Sequence, residues 1–123
     1  MSHYLVWIDH EHSKVFRFTS QGKDEHVIKN HHHNTKHPSH ADQAKKNDNQ
    51  KFYHQVAEQV KDAVELLIVG PGMAHKEFKT HLDQHHHSDL AKKVIGVEAM
   101  DKATDGQILN MAKKYYHKYH AFN

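Results

Sequence analysis

Glu65-Leu66-Leu67-Ile68-Val69-Gly70-Pro71-Gly72-Met73-Ala74-His75-Lys76-Glu77-Phe78-Lys79-Thr80-His81-Leu82 reads as a buried strand, a tight turn and an amphipathic helix in immediate succession. Leu66 to Val69 is a short apolar run that Gly70-Pro71-Gly72 ends. The glycines permit positive φ or close backbone approach, and the proline stops the strand. Ala74, Phe78 and Leu82 then recur every fourth residue, which sets them on one helical face and leaves His75, Lys76, Lys79 and His81 elsewhere on the cylinder. A helix N-terminus beside glycines, with lysines within a turn or two, suits a phosphate, so Gly70, Gly72, Lys76 and Lys79 are candidate contacts. The simpler alternative is a plain strand-to-helix link, because the phosphate-loop spacing ending in Gly-Lys-Ser/Thr is absent.

Outward from this unit, strand and helix signals continue in both directions. Upstream, Tyr4 to Asp9 and Lys14 to Thr19 are β-branched and aromatic runs on either side of the polar Asp9 to Ser13 connection, which predicts a hairpin. Gln21 to Asp24 is a turn, and Glu25 to Lys29 a third strand. Helical spacing starts at Phe52, with Phe52, Tyr53, Val56, Ala57, Val60 and Val64 facing inward. Downstream, Leu90 and Ala91 lead into the short apolar run Val94-Ile-Gly-Val97. Thr104-Asp-Gly-Gln107 is a capping box for a last helix, on which Ile108, Met111, Ala112, Tyr115 and Tyr119 share a face. Trp7, Phe16, Phe18 and Phe78 are core by pattern, whereas Lys14 and Arg17 are candidate guards against pairing of sheet edges between copies.

Three meandering strands followed by helix, strand, helix, strand and helix predict an α/β domain. Helices linking the later strands make those strands parallel and cover the sheet, while the first three are antiparallel. This five-stranded mixed sheet is the arrangement of ribonuclease H-like domains, and element order alone leaves the activity open.

With 123 residues the chain is expected to form a single domain, residues 1–123, around one core. It has no cysteine, which excludes a disulfide scaffold and thiolate metal sites and fits a reducing compartment. The N-terminus lacks a basic and apolar leader, and no run approaches the ~18 apolar residues of a membrane span. A cytoplasmic location without membrane partners is therefore the expectation. A formal net charge of +2 is too small to argue for nucleic acid by itself, but seventeen histidines would make the surface strongly cationic on mild acidification.

Several of these segments together point to a family. They are Leu5-Val-Trp-Ile-Asp-His10 with Ser13-Lys-Val-Phe16, the polar stretch before the first long helix, Leu67-Ile-Val-Gly-Pro-Gly72, Glu77-Phe-Lys79 with Leu82, and Val94-Ile-Gly-Val97 before Thr104-Asp105. In them, and over nearly its whole length, the chain resembles the middle domain of archaeal and eukaryotic peptide release factors and of the ribosome-rescue protein Pelota. It is more closely similar to small bacterial release-factor-like or translational machinery proteins. The resemblance implies a ribonuclease H-like fold and a translation-associated protein that meets the ribosome or its RNA, in hibernation, rescue or stress, with room for an additional protein partner.

In release factors the loop before the first long helix carries Gly-Gly-Gln, which promotes peptidyl-tRNA hydrolysis. This chain departs there. Residues 31–50 contain no glycine, Gln43 follows Ala41-Asp42 and Gln50 follows Asp48-Asn49, so peptide release is not expected and the factor reads as non-catalytic, without a cofactor.

The same stretch has almost nothing to bury, and residues 31–46 read as a flexible histidine-rich loop. Its Lys36, Lys45 and Lys46 are permanent cations, and His31, His32, His33, His37 and His40 can stack on bases, donate hydrogen bonds or gain charge, which suits RNA. A metal-binding or pH-responsive protein is the alternative, with His31, His33, His37 and His40 as imidazole donors and His85-His-His87 as a second cluster. A third reading is a vestigial metal-dependent nuclease, with Asp9 at a strand end as one carboxylate. Such chemistry needs several converging acids, and spacing does not bring Glu58, Glu98 and Asp101 together.

Overall fold

The computed structural model describes residues 2–19, 22–30, 38–85, 88–101 and 103–118; the side chains of 38–47, 88, 117 and 118 lie outside the description. The elements are β1 (Ser2–Ile8), β2 (His12–Thr19), β3 (Gly22–Lys29), α1 (Pro38–Gln59), β4 (Ala63–Gly70), α2 (Ala74–Gln84), α3 (Ser88–Ala91), β5 (Val94–Ala99) and α4 (Asp105–Lys118). They build a five-stranded sheet of order β3-β2-β1-β4-β5. The β1–β2 and β2–β3 pairs are antiparallel, and β1–β4 and β4–β5 are parallel, which is the mixed ribonuclease H-like sheet expected from the element order.

The central strands read as continuous apolar runs because both of their faces are covered. Tyr4, Val6 and Ile8 of β1 and Leu66 and Ile68 of β4 pack with Phe52, Tyr53, Val56 and Val60 of α1 and Phe78 and Leu82 of α2. Leu5, Trp7, Leu67 and Val69, from the alternate positions, pack with Phe16 of β2 and Ile108, Ala112 and Tyr116 of α4. At the start of α4 the capping box forms as expected. Gln107 N donates to Thr104 Oγ1 at 3.2 Å, and Thr104 N donates to Gln107 Oε1 at 2.9 Å.

Several expectations need correction. α1 begins at Pro38 and not at Phe52, so the segment read as a flexible loop is helical from Pro38 to Lys46, while residues 31–37 lie outside the described residues. Proline at the first helical position loses no internal hydrogen bond, and the alanines, lysines and glutamines that follow favour helix. Apolar periodicity could not mark this half, because Ala41 and Ala44 are its only apolar residues after the proline. α1 stops at Gln59, so Val64 belongs to β4; the Ala63 N–H donates to the Val60 carbonyl at 3.0 Å in the intervening turn.

On α4 the buried row is Ile108, Ala112 and Tyr116, with Met111 and Tyr115 only partly buried beside it and Tyr119 outside the described residues. On α2, His75 and His81 are buried along with Ala74, Phe78 and Leu82, because this helix touches both the sheet and α1 and its covered face is wider than one row. Lys14 and Arg17 guard no edge, since β2 lies between β1 and β3. Lys14 Nζ donates to Asp105 Oδ1 at 2.9 Å, and Arg17 pairs across the ladder with Asp24. Among the described residues no helix is long and apolar enough to cross a membrane.

Candidate functional site

The parallel pair β1–β4 ends with Trp7 opposite Val69, and the next residues converge. A Cβ built on Gly70 would stand 2.1 Å from the Ile8 carbonyl oxygen, so only glycine allows the two backbones to approach there. Gly72 does a different job: its φ of 59° lies in the left-handed region and turns the chain into α2. Beyond Ile8 the hairpin is closed by Asp9, whose Oδ1 accepts the N–H groups of Glu11 and His12, each at 2.8 Å. This local side-chain-to-backbone turn is the structural role of Asp9. Among the described residues no group of three His, Cys, Asp or Glu side chains is arranged to hold a metal ion.

β3 ends at the same side of the sheet, because His12 pairs with Lys29 and the Asn30 N–H donates to the Glu11 carbonyl at 2.9 Å. The Asn30 amide donates to the His10 carbonyl at 2.9 Å and to Asn49 Oδ1 of α1 at 2.8 Å. Asn30 thus lies at the edge that also carries the 9–12 hairpin, the Gly70-Pro71-Gly72 turn and the start of α2. A further clamp joins two of these pieces, as His10 Nε2 and Glu77 Oε2 are 2.8 Å apart.

α2 offers less to an anion at its N-terminus than the lysines imply. Met73 caps it without a side-chain hydrogen bond, and Glu77 already supplies a negative charge in the first turn. Lys79 Nζ is held by Asp83 at 2.8 Å, one turn along the helix. Lys76 is exposed and lines an open cleft of about 330 Å³ between α1 and α2. α1 contributes Asn49 and Tyr53 to that cleft, and α2 contributes Glu77, Gln84 and His85 besides Lys76. Within it the rings of His81 and His85 stack with centroids 4.5 Å apart, and Tyr53 meets His81 edge-on at 5.8 Å. Burial pushes the Tyr53 hydroxyl pKa up, and the nearby Glu77 charge adds to this. Under the helix start, burial lowers the His75 pKa, the Lys76 charge acts in the same direction, and the Pro71 carbonyl opposes them.

Of the sequence-derived contacts, Gly70, Gly72 and Lys76 share the edge that carries Asn30, and Lys79 is engaged by Asp83. His40, Lys45 and Lys46 lie on the first half of α1, with side chains outside the described residues. His31, His32, His33, Lys36 and His37 lie outside the described residues altogether, as do His86 and His87 of the second cluster. Sequence reasoning missed Asn30 and Asn49, and it did not bring Tyr53, read as an inward residue, together with His81 and with His85 of the second cluster. The signals available were an asparagine directly after a strand and a histidine four residues beyond another on one helix, neither of which names a partner.

No protein-family model matches the sequence, and no curated protein matches it in sequence. Solved structures do match it. Pelota from Archaeoglobus fulgidus superposes with a TM-score of 0.64 at 16% identity, over 92% of this chain and 31% of that one. The fold is that of a segment of Pelota. Thermoplasma acidophilum Pelota gives a TM-score of 0.60 at 14% identity over 92% of this chain and 32% of its own. An archaeal translation termination factor gives 0.59 at 10% identity, over 97% of this chain and 40% of that one. The Pelota-like and release-factor-like fold anticipated from the distributed residue pattern is thus present, and the chain spans about a third of the length of the Pelota proteins it matches.

Proposed function

We propose that this protein is a translation-associated factor that binds ribosomal or transfer RNA through the histidine- and lysine-rich segment between β3 and α1, without chemistry on the peptidyl bond. The observation that carries the reading is the fold shared with two Pelota proteins and a translation termination factor. In this chain the connection between β3 and α1 holds His31, His32, His33, Lys36 and His37, and His40, Lys45 and Lys46 follow on α1. Asn30, which directly precedes that segment in sequence, sits on the edge where Gly70, Gly72 and Lys76 stand, and this reading has both sets meet the same stretch of RNA backbone, with Lys79 at the flank. Imidazoles supply stacking and hydrogen bonds, and the lysines supply phosphate contacts whose strength falls with salt as counterions are released. The absence of a glycine pair in residues 31–50 removes the backbone freedom that a Gly-Gly-Gln motif uses. The reading fits a protein of the cytoplasm acting in hibernation, rescue or stress.

The test is cosedimentation with ribosomes over a salt series. Because α1 starts at Pro38, deleting residues 31–46 would remove helix as well as charge, so substitution is preferred. Replacing Lys36, Lys45 and Lys46 by Gln and the five histidines between 31 and 40 by Asn should abolish a salt-sensitive association. Ribosome binding that is absent in the unaltered chain at low salt, or is unchanged in the substituted one, overturns the reading.

A further inference from the structure

The cleft between α1 and α2 shares Lys76 with the RNA-contact set proposed above, and the rest of its described lining has a chemistry of its own. Tyr53 lines the cleft and is 96% buried (4% relative exposure); its hydroxyl lies just beneath the surface and has no hydrogen-bond partner among the described residues. A buried hydroxyl left unpaired costs stability, so a ligand that supplies the missing bond gains accordingly. Glu77 and Lys76 of α2 line the same cleft as Tyr53. Beyond it, the stacked His81–His85 pair ends in the His85 ring, which is only half-buried. Flat rings of this kind accept another π-face, and the exposed Gln84 amide, which also lines the cleft, provides a donor and an acceptor. At the rim Lys76 is exposed, while the neighbouring Glu77 carboxylate is occupied by His10. A volume of about 330 Å³ is at the small end of ligand pockets and admits one ring system with a polar substituent.

We propose that the α1–α2 cleft binds a nucleobase bearing a phosphate, with the base against His85 and in hydrogen-bond reach of the Tyr53 hydroxyl and the Gln84 amide, and the phosphate at Lys76. This deepens the RNA-binding reading by assigning a base-recognition site that the segment 31–46 does not include. The ligand comes either from a free mononucleotide or from an unpaired nucleotide in an RNA strand, and both share this chemistry.

The test is titration of the full chain, followed by NMR chemical shifts, with each of the four ribonucleoside monophosphates, the matching nucleosides, inorganic phosphate and a short single-stranded RNA. Monophosphates are expected to shift resonances of Tyr53, His81 and His85. Lys76→Ala should weaken them by about tenfold and leave nucleosides unaffected. His85→Ala should weaken nucleosides and monophosphates alike by about tenfold, and Tyr53→Phe, which keeps the ring and the fold, should weaken both by several-fold. Tighter binding of the RNA than of any monophosphate identifies a strand as the source, and equal binding identifies a free nucleotide. The proposal is overturned if monophosphates and RNA leave the cleft resonances unmoved, if inorganic phosphate alone reproduces the shifts, or if the three variants bind as the unaltered chain does. Ribosome cosedimentation that persists alongside such a failure removes the cleft and leaves the proposed function standing. Loss of cosedimentation with cleft binding intact does the reverse.

Discussion

Asn30 Nδ2 lies 2.8 Å from Asn49 Oδ1, so one amide–amide hydrogen bond joins the end of β3 to α1 across the whole histidine-rich stretch. The same Asn30 nitrogen donates to the His10 carbonyl at 2.9 Å, which adds the first hairpin to the junction. Three pieces of chain remote in sequence are thereby held by one 92%-buried side chain (8% relative exposure).

Asn30→Ala is therefore expected to cost about 1–2 kcal/mol, since it leaves a carbonyl and an amide without their donor. Asn49→Ala keeps the His10 contact and should cost less. Urea unfolding measures both, and hydrogen exchange should show faster amide exchange around residues 48–53 in the Asn30 variant only when the junction acts as described.

The two turn glycines should respond differently to alanine. At Gly72 a Cβ meets nothing within 4 Å, so Gly72→Ala carries only the cost of a left-handed residue, about 1 kcal/mol. At Gly70 the methyl would overlap the Ile8 carbonyl, and the strands must separate. Gly70→Ala should lose about 3 kcal/mol or fail to fold. Equal losses at the two sites in denaturant midpoints would contradict the close approach of β1 and β4.

Tyr116 is fully buried, and its hydroxyl donates to the Tyr4 carbonyl, with the Glu65 carbonyl at 3.4 Å. Tyr116→Phe should cost about 1 kcal/mol and Tyr116→Ala about 3–5 kcal/mol, because the second leaves a cavity between α4 and the sheet. Tyr115→Phe loses the 3.1 Å bond to the Ile95 carbonyl at a half-buried position and should cost less than Tyr116→Phe. Thermal unfolding of the three variants ranks them.

His75 should make stability depend on pH. Burial and the Lys76 charge lower its pKa in the folded state, so the unfolded chain binds more protons below the ordinary histidine value of about 6.5. The stabilising contribution of neutral His75 is complete above that value and is lost as pH falls from it toward the lower folded pKa. His75→Phe, of similar volume, should flatten the slope of unfolding free energy against pH across this window, relative to the unaltered chain. An unchanged slope would show that His75 does not titrate on unfolding.

The parts of the fold legible in the sequence are those with a local signature. Leu66 to Val69 ending in glycine announced β4, the fourfold spacing of Ala74, Phe78 and Leu82 announced α2, and Thr104 with Gln107 announced the start of α4. The first half of α1 was not legible, because residues 38–47 have too few apolar side chains to write a periodicity. Tyr116 was left out of the face read on α4 because the spacing from Ile108 and Ala112 runs as well through Tyr115, and only the packed sheet shows Tyr116 fully buried. His75 and His81 fall by spacing off the face of Ala74, Phe78 and Leu82, yet both are buried, because α2 touches α1 as well as the sheet.

The sequence by itself determined the order of strands and helices, the apolar faces and the places that only glycine can occupy, because these follow from backbone sterics and side-chain periodicity over a few neighbouring residues. Tertiary structure alone decided that Asn30 meets Asn49, that Glu77 is taken by His10 while Lys76 stays exposed, and that Tyr53 of α1 meets His81 of α2 in one cleft. Such contacts depend on how α1 and α2 cross the sheet, and that crossing is set by the whole core and written in no single segment.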